Sequence, residues 1–275
     1  MRIKGMTYFL AALLFLAPHV LYAKAGVLLF PTRIVEPDSI RNIEITLKNS
    51  GDATGKYRID LEDMEMLESG EIKQLPPKND YAFSGKQLLR VSPREMTLKP
   101  NETQSIRLLV KRNPKLPDGE YRSHLKVLLV DGEVDEKSEH KDSMDTEKKG
   151  SGFNISLNVR QGVSIPVIIR KGKTEYAVKI LDVKLKQENG KPVLDMLFER
   201  QGNRSVFGDI KVTDSSGKVL KYFAGIAIYH PTPKKKIILP LDVAEGTKLS
   251  GKLHITYTEQ DKDGGAQMAE KDLEL

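Results

Sequence analysis

Apolar residues recur at every second position through most of the chain beyond residue 26. Ile43, Ile45 and Leu47 alternate with Glu44, Thr46 and Lys48, and Tyr57, Ile59 and Leu61 alternate with Arg58, Asp60 and Glu62. Ile106, Leu108 and Val110 form a third such row, and Tyr121, Leu125, Val127 and Leu129 a fourth. Successive side chains of a strand point to opposite faces, so this period marks strands with one face in a core. Turn signals separate the rows: Asn49-Ser50-Gly51-Asp52, Lys99-Pro100-Asn101-Glu102 and Leu116-Pro117-Asp118-Gly119. Many short strands punctuated in this way predict an all-β fold of packed sheets.

A second set of strands is expected from Tyr176, opening with Val178, Ile180 and Val183 and a shift of parity. Turns at Glu188-Asn189-Gly190-Lys191 and Asp214-Ser215-Ser216-Gly217 divide it, and about seven strands complete it. The length of 275 residues fits two domains. We place a first domain at 26–170 and a second at 171–275, with the boundary at Arg170-Lys171-Gly172-Lys173. The polar stretch 259–270 is expected to fray.

The start of the chain reads differently. Arg2 and Lys4 precede an apolar run over residues 8–17, Pro18 ends the run, and Ala23-Lys24-Ala25 offers small residues for cleavage. This is the pattern of a secretory signal peptide over 1–25, too short for a span of roughly 20 residues. The expected location is outside the cytoplasm, with no stable membrane insertion. Without Arg2, Lys4 and Lys24 the formal charge of +6 falls to +3, an ordinary solvated surface with no call for nucleic acid.

Residues 131–152 are crowded with Asp, Glu, Lys, Ser and His and are expected to form a mobile loop. The row that follows is the most informative in the chain. Ile155, Leu157, Val159, Gln161, Val163, Ile165, Val167 and Ile169 share one parity. One strand over 155–169 would extend about 50 Å at roughly 3.3 Å per residue, whereas ordinary strands hold about 5–6 residues. If 163–169 pack into the first domain, Ile155, Leu157 and Val159 overhang beside unpaired backbone groups, an edge suited to strand addition to a partner or to a second copy. The alternative is a strand bent near Gly162 and buried throughout.

Taken together, these pieces resemble the periplasmic chaperones of the chaperone–usher pilus pathway. The resemblance rests on Pro31-Thr32-Arg33-Ile34-Val35, Ile45-Thr46-Leu47-Lys48-Asn49, Leu89-Arg90-Val91-Ser92-Pro93-Arg94 and Leu98-Lys99-Pro100-Asn101-Glu102. It continues through 116–125, the long strand closing on Ile168-Ile169-Arg170, and Gly202-Asn203-Arg204-Ser205-Val206-Phe207-Gly208-Asp209-Ile210. It implies two immunoglobulin-like β-sandwich domains set at an angle around a cleft, in the periplasm. It also implies a non-enzymatic role: capturing pilus or fimbrial subunits by donor-strand complementation and passing them to an outer-membrane usher. Ile155, Leu157 and Val159 would then fill the subunit's groove, with Gln161 at its edge.

The resemblance further implies a pair of basic residues that hold the subunit's terminal carboxylate. Arg33 matches one, and a guanidinium can grip a carboxylate through two bonds. The family's second residue is a lysine, and the matching position here is Pro166; Arg90 and Arg170 are the candidate substitutes. The chain also departs from the branch of the family whose long loop carries a cysteine pair, since it has no cysteine.

No enzyme motif competes with this reading. His19, His124, His140, His230 and His254 are scattered without the spacing of a zinc site, and neither a phosphate-binding glycine loop nor a nucleophile elbow occurs. No metal or cofactor is expected. A secreted two-domain adhesion or binding module, recognising its target through loops, is the other reading of the same architecture.

Overall fold

A computed structural model describes residues 25–132, 161–244, 246–260 and 264–275. Eighteen strands are described: β1 (Leu28–Phe30), β2 (Ile34–Pro37), β3 (Asn42–Lys48), β4 (Gly55–Glu62), β5 (Met64–Met66), β6 (Ile72–Gln74), β7 (Leu89–Ser92), β8 (Glu95–Leu98), β9 (Thr103–Val110), β10 (Gly119–Gly132), β11 (Gly162–Lys171), β12 (Tyr176–Glu188), β13 (Lys191–Gly202), β14 (Val206–Asp214), β15 (Val219–Ile228), β16 (Lys234–Pro240), β17 (Lys252–Glu259) and β18 (Gln267–Glu274).

The first sandwich stacks a sheet ordered β1-β3-β9-β7 on one ordered β2-β11-β10-β4-β8. The alternating rows supply its core, including Ile45, Leu47, Tyr57, Ile59, Ile106, Leu108, Leu125, Val127, Val167 and Ile169. The opening strand changes sheets: β1 pairs antiparallel with β3, and β2 runs parallel to β11. Tyr121, near the start of β10, donates its hydroxyl to the Pro117 carbonyl at 2.9 Å, the tyrosine corner typical of immunoglobulin-like sandwiches.

The second sandwich stacks β12-β13-β16 on β15-β14-β17-β18 around Phe198, Ile210, Val212, Leu239, Ile255 and Tyr257. The expected parity shift in its first strand is a register shift between Ile180 and Asp182. The turn to β13 is Asn189-Gly190, both with positive φ, as a two-residue hairpin that follows strand twist requires.

Two expectations are corrected, and part of a third lies outside the described residues. The expected loop begins later than residue 131, because Asp131 and Gly132 still pair with Lys56 and Gly55 on β4; residues 133–152 lie outside the described residues. The single strand over 155–169 is described only from Gly162, so Ile155, Leu157 and Val159 also lie outside. The tail does not fray where it is described: Gln267–Glu274 pairs with β17 as β18, and Glu259 is buried. Backbone bonding to β17 holds an edge strand too polar to announce itself.

Asn49, read as a turn residue, is fully buried. Its amide donates to the carbonyls of Ala53, Leu98 and Lys99, and its oxygen accepts from the Gly26 and Gly51 amides. Asn49→Ala leaves several of these groups without partners and should cost about 3 kcal/mol. Urea unfolding checks this, with a lower midpoint and an unchanged slope expected, whereas exposed Ser50→Ala should leave the midpoint where it is.

Candidate functional site

Part of the outer face of the β2-β11-β10-β4-β8 sheet is not solvated as alternation predicts, because the second sandwich covers it along β10 and the end of β11. Glu120, Arg122 and His124 lie on the outward parity of β10, and all three are buried. Glu120 accepts from the Ser205 amide at 3.0 Å, from the Ser205 hydroxyl and from Arg170 Nε at 3.4 Å. The Arg122 guanidinium lies 3.9 Å above the Tyr229 ring and donates to the Met64 carbonyl at 2.9 Å. Ile168, on the same outward parity of β11, is fully buried as well.

Two further features join the sandwiches. The β5–β6 hairpin reaches across, so that the Glu68 carbonyl accepts from the Lys236 amide at 2.7 Å and the Met66 carbonyl accepts from the Thr232 hydroxyl at 2.6 Å. The connection at Gly172 is also pinned. Its φ is +58°, and a Cβ there would fall 2.1 Å from Asp118 Oδ1, so only glycine fits. Asp118 in turn accepts from Lys171 Nζ and the Lys173 amide.

Arg33 stands just before β2 and meets the second sandwich. Its guanidinium carbon is 3.8 Å above the Phe207 ring, and Nη2 donates to Gln260 Oε1 at 3.2 Å. The Gln260 amide donates to Asp209 Oδ1 at 3.2 Å. Asp209 also accepts from the Gly225 amide at 2.8 Å and from the Tyr222 hydroxyl. Arg33, with Val35, Glu36 and Ile40, lines a groove of about 440 Å³ on the first sandwich. Gln260, with Asp209, Tyr222 and Thr258, lines one of about 300 Å³ on the second. The contact between Arg33 and Gln260 therefore joins two open grooves, one from each sandwich.

The proposed anchors do not gather at one point. Arg90 is exposed on β7, at the far edge of the other sheet, where it donates to the carbonyls of Lys86 and Leu89. Arg170 is committed to the junction through Glu120 and the Ser205 carbonyl. Pro166 sits within β11 opposite His124. Gln161 is exposed, and its carbonyl accepts from the Leu129 amide, continuing the register of β10 with β11.

The edge of β11 away from β10 is covered unevenly. β2 pairs only with Val167, Ile168, Ile169 and Arg170. From Gly162 to Pro166 no described strand lies along that edge, while Ile165 is buried in the core beneath it. Among the described residues there is no group of three His, Asp or Glu placed to hold a metal, and no helix long and apolar enough to cross a membrane.

No family model matches this sequence, and no curated protein matches it by sequence. Solved structures do match. One is a chain of the CsuC–CsuE chaperone–tip adhesion subunit pre-assembly complex from the archaic chaperone–usher Csu pili of Acinetobacter baumannii. It is 14% identical, covers 89% of this chain and 99% of its own, and has a TM-score of 0.50. The CupB2 chaperone of Pseudomonas aeruginosa is also 14% identical, over 90% of this chain and 100% of its own, with a TM-score of 0.47. The periplasmic chaperone SfaE is 13% identical, over 91% and 100%, with a TM-score of 0.43. The likeness at these identities is one of fold: two β-sandwiches arranged as in a pilus chaperone.

The junction makes stability sensitive to acid. Burial and the neighbouring Arg122 hold the His124 imidazole down to about 3. Burial, Arg200 and Arg122 hold His230 down to about 4. Both are neutral when folded and take a proton near 6.5 when unfolded. The unfolded chain therefore binds the extra protons as pH falls below about 6.5, and stability is lost down to about 3–4. Each imidazole contributes up to about 1.4 kcal/mol per pH unit in that window. Urea midpoints followed from neutral pH to about 4 should fall steadily, and His124→Gln/His230→Gln should flatten that limb.

Proposed function

We propose that this chain is a divergent periplasmic chaperone of the chaperone–usher type, which holds pilus or fimbrial subunits by lending them a strand. The observation that carries this reading is the open edge of β11. Over 162–166 the strand is fixed on one side by β10, anchored below by Val163 and Ile165, and unpaired by any described strand on the other side. A strand held this way offers its backbone groups in a fixed register to an incoming chain. Pro166 is compatible with such an edge, where a missing N–H costs least.

The parity of β11 continues upstream through Gln161, Val159, Leu157 and Ile155. In this reading those apolar side chains enter the groove of a subunit that lacks its own last strand, and burying each leucine- or valine-sized group there contributes about 1.5–3 kcal/mol. Arg33 grips the subunit's terminal carboxylate in the cleft between the sandwiches. Arg90 and Arg170 take no part, the first lying at a distant sheet edge and the second serving the junction. The bound subunit is then handed to an outer-membrane usher. In the absence of a subunit, the same edge can pair with a second copy of the chain.

The test is co-expression with a pilus-type subunit lacking its final strand, followed by capture. Leu157→Asp/Val159→Asp should weaken capture at least 100-fold, since two buried apolar contacts become unpaired charges. Its circular dichroism and thermal midpoint should match the unaltered protein. Capture at the unaltered level by a folded double variant would sink the reading.

A further inference from the structure

Each buried carboxylate among the described residues already has a cation. Glu120 pairs with Arg170, Asp63 with Lys86, and Glu259 with Arg204. Two buried arginines, Arg122 and Arg200, are left with no carboxylate at ion-pair distance among the described residues. Arg200 is served by carbonyls instead, donating to those of Thr232, Gln201, Gly202 and Arg204. Arg122 is not. Its Nη2 donates to the Met64 carbonyl, while Nε and Nη1 are buried without a hydrogen-bond partner.

The same shortfall recurs around it. Nδ1 of His124 and Nδ1 of His230 are buried and make no hydrogen bond. His124 lies two residues from Arg122 on the same face of β10, and its ring stands edge-on to Tyr229 with centroids 6.4 Å apart. Arg122 lies 3.9 Å over that same Tyr229 ring, and His230 follows Tyr229 in the chain. His230 packs at 4.3 Å on Phe83, whose carbonyl accepts from the Arg122 amide. The Tyr81 hydroxyl sits beside the guanidinium without reaching hydrogen-bond geometry to it. Arg122, His124 and His230 are 1%, 5% and 8% exposed.

We infer that Arg122, His124 and His230, with Tyr81, form a buried site for a small inorganic anion of the halide class, which bridges the two sandwiches. Every one of these groups can donate: the guanidinium outright, a neutral imidazole when its proton rides on Nδ1, and the phenol through its hydroxyl. Donors gathered around a cation without a counter-charge suit an anion. A metal ion would be repelled, and a water molecule would satisfy donors while leaving the charge unbalanced. Ring contacts of 3.9 and 4.3 Å favour a single atom over a carboxylate or phosphate. The site is independent of Arg33 and of the β11 edge. It also sets chloride apart from other salt. An exposed pair such as Arg107 with Glu44 is screened by any electrolyte, whereas a halide bound only by the folded junction stabilises it.

The experiment is urea unfolding of the full mature chain at constant ionic strength, with sodium gluconate exchanged for sodium chloride. A site with a Kd of about 10 mM should raise the folded-to-unfolded ratio about tenfold at about 100 mM chloride. Arg122→Gln should abolish that gain. Should Arg122→Gln not fold, His230→Phe keeps a ring against Phe83, removes one donor and should cut the gain to about twofold. Crystals grown in bromide should show an anomalous peak in contact with Arg122 Nε or Nη1. Equal midpoints in chloride and gluconate overturn the inference: with a bromide peak present the site holds an adventitious ion only, and without one its donors belong to water. A chloride gain that survives unchanged in the folded variants, or the absence of bromide at Arg122, overturns it as well.

Discussion

The burial of ionised side chains between two β-sheets is the constraint on which the rest of this molecule depends. Glu120 and Arg122 sit one residue apart on the outward parity of β10, and each is 1% exposed. Removing a charge from water costs several kcal/mol unless it is paired and hydrogen-bonded in place. Ser205 and Arg170 satisfy Glu120, and the Tyr229 ring and the Met64 carbonyl serve Arg122. Half of those partners come from the second sandwich, so the cost is offset only when the two sandwiches meet in one way. A greasy interface tolerates sliding. A carboxylate held by three hydrogen bonds and a guanidinium held by a ring face and one carbonyl do not, because a small displacement strands a buried charge.

That rigidity gives the edge of β11 its meaning. The strand is covered on its inner face by the first core, and at Ile168 its outer face is buried too, whereas Gly162 and Ser164 on that face are exposed. It is paired on one side by β10 throughout. On its other edge β2 pairs only from Val167 onward, and no other described strand lies there. Exposed edges are hazards that sheets ordinarily blunt. In the proposed reading, the stretch 162–166, which no described strand pairs on that edge, is where another extended chain adds. Arg33 stands just before Ile34, the first residue of β2 to pair with β11.

The alternating rows were readable because each strand of a sandwich has one face in its own core. Ile43, Ile45 and Leu47 declare their role by period alone, and so do Asn189-Gly190 as a hairpin turn and the parity shift near Ile180. What could not be read is whatever depends on a second surface. Glu120, Arg122 and His124 have the pattern of a solvated face, and only the other sandwich buries them. The β5–β6 hairpin is short and polar, and its contacts with Thr232 and Lys236 span more than 150 residues of sequence. Arg33 was visible through its resemblance to a family position. Gln260 and Asp209 carry no local signal, since a glutamine near the end of a strand looks like any other exposed polar residue.

In the proposed reading of Arg33, the departure at residue 166 gives such distant contacts their weight. Two cations side by side can hold a carboxylate by charge alone, and neither has to be aimed well. A single arginine depends on geometry, because its advantage over lysine lies in the planar fork and not in the charge. Phe207 stacks on the Arg33 guanidinium and Gln260 accepts a hydrogen bond from it. Both belong to the second sandwich. In that reading the contacts of Arg33 hold only while the two sandwiches meet as they do, and the buried Glu120 and Arg122 on β10 fix how they meet.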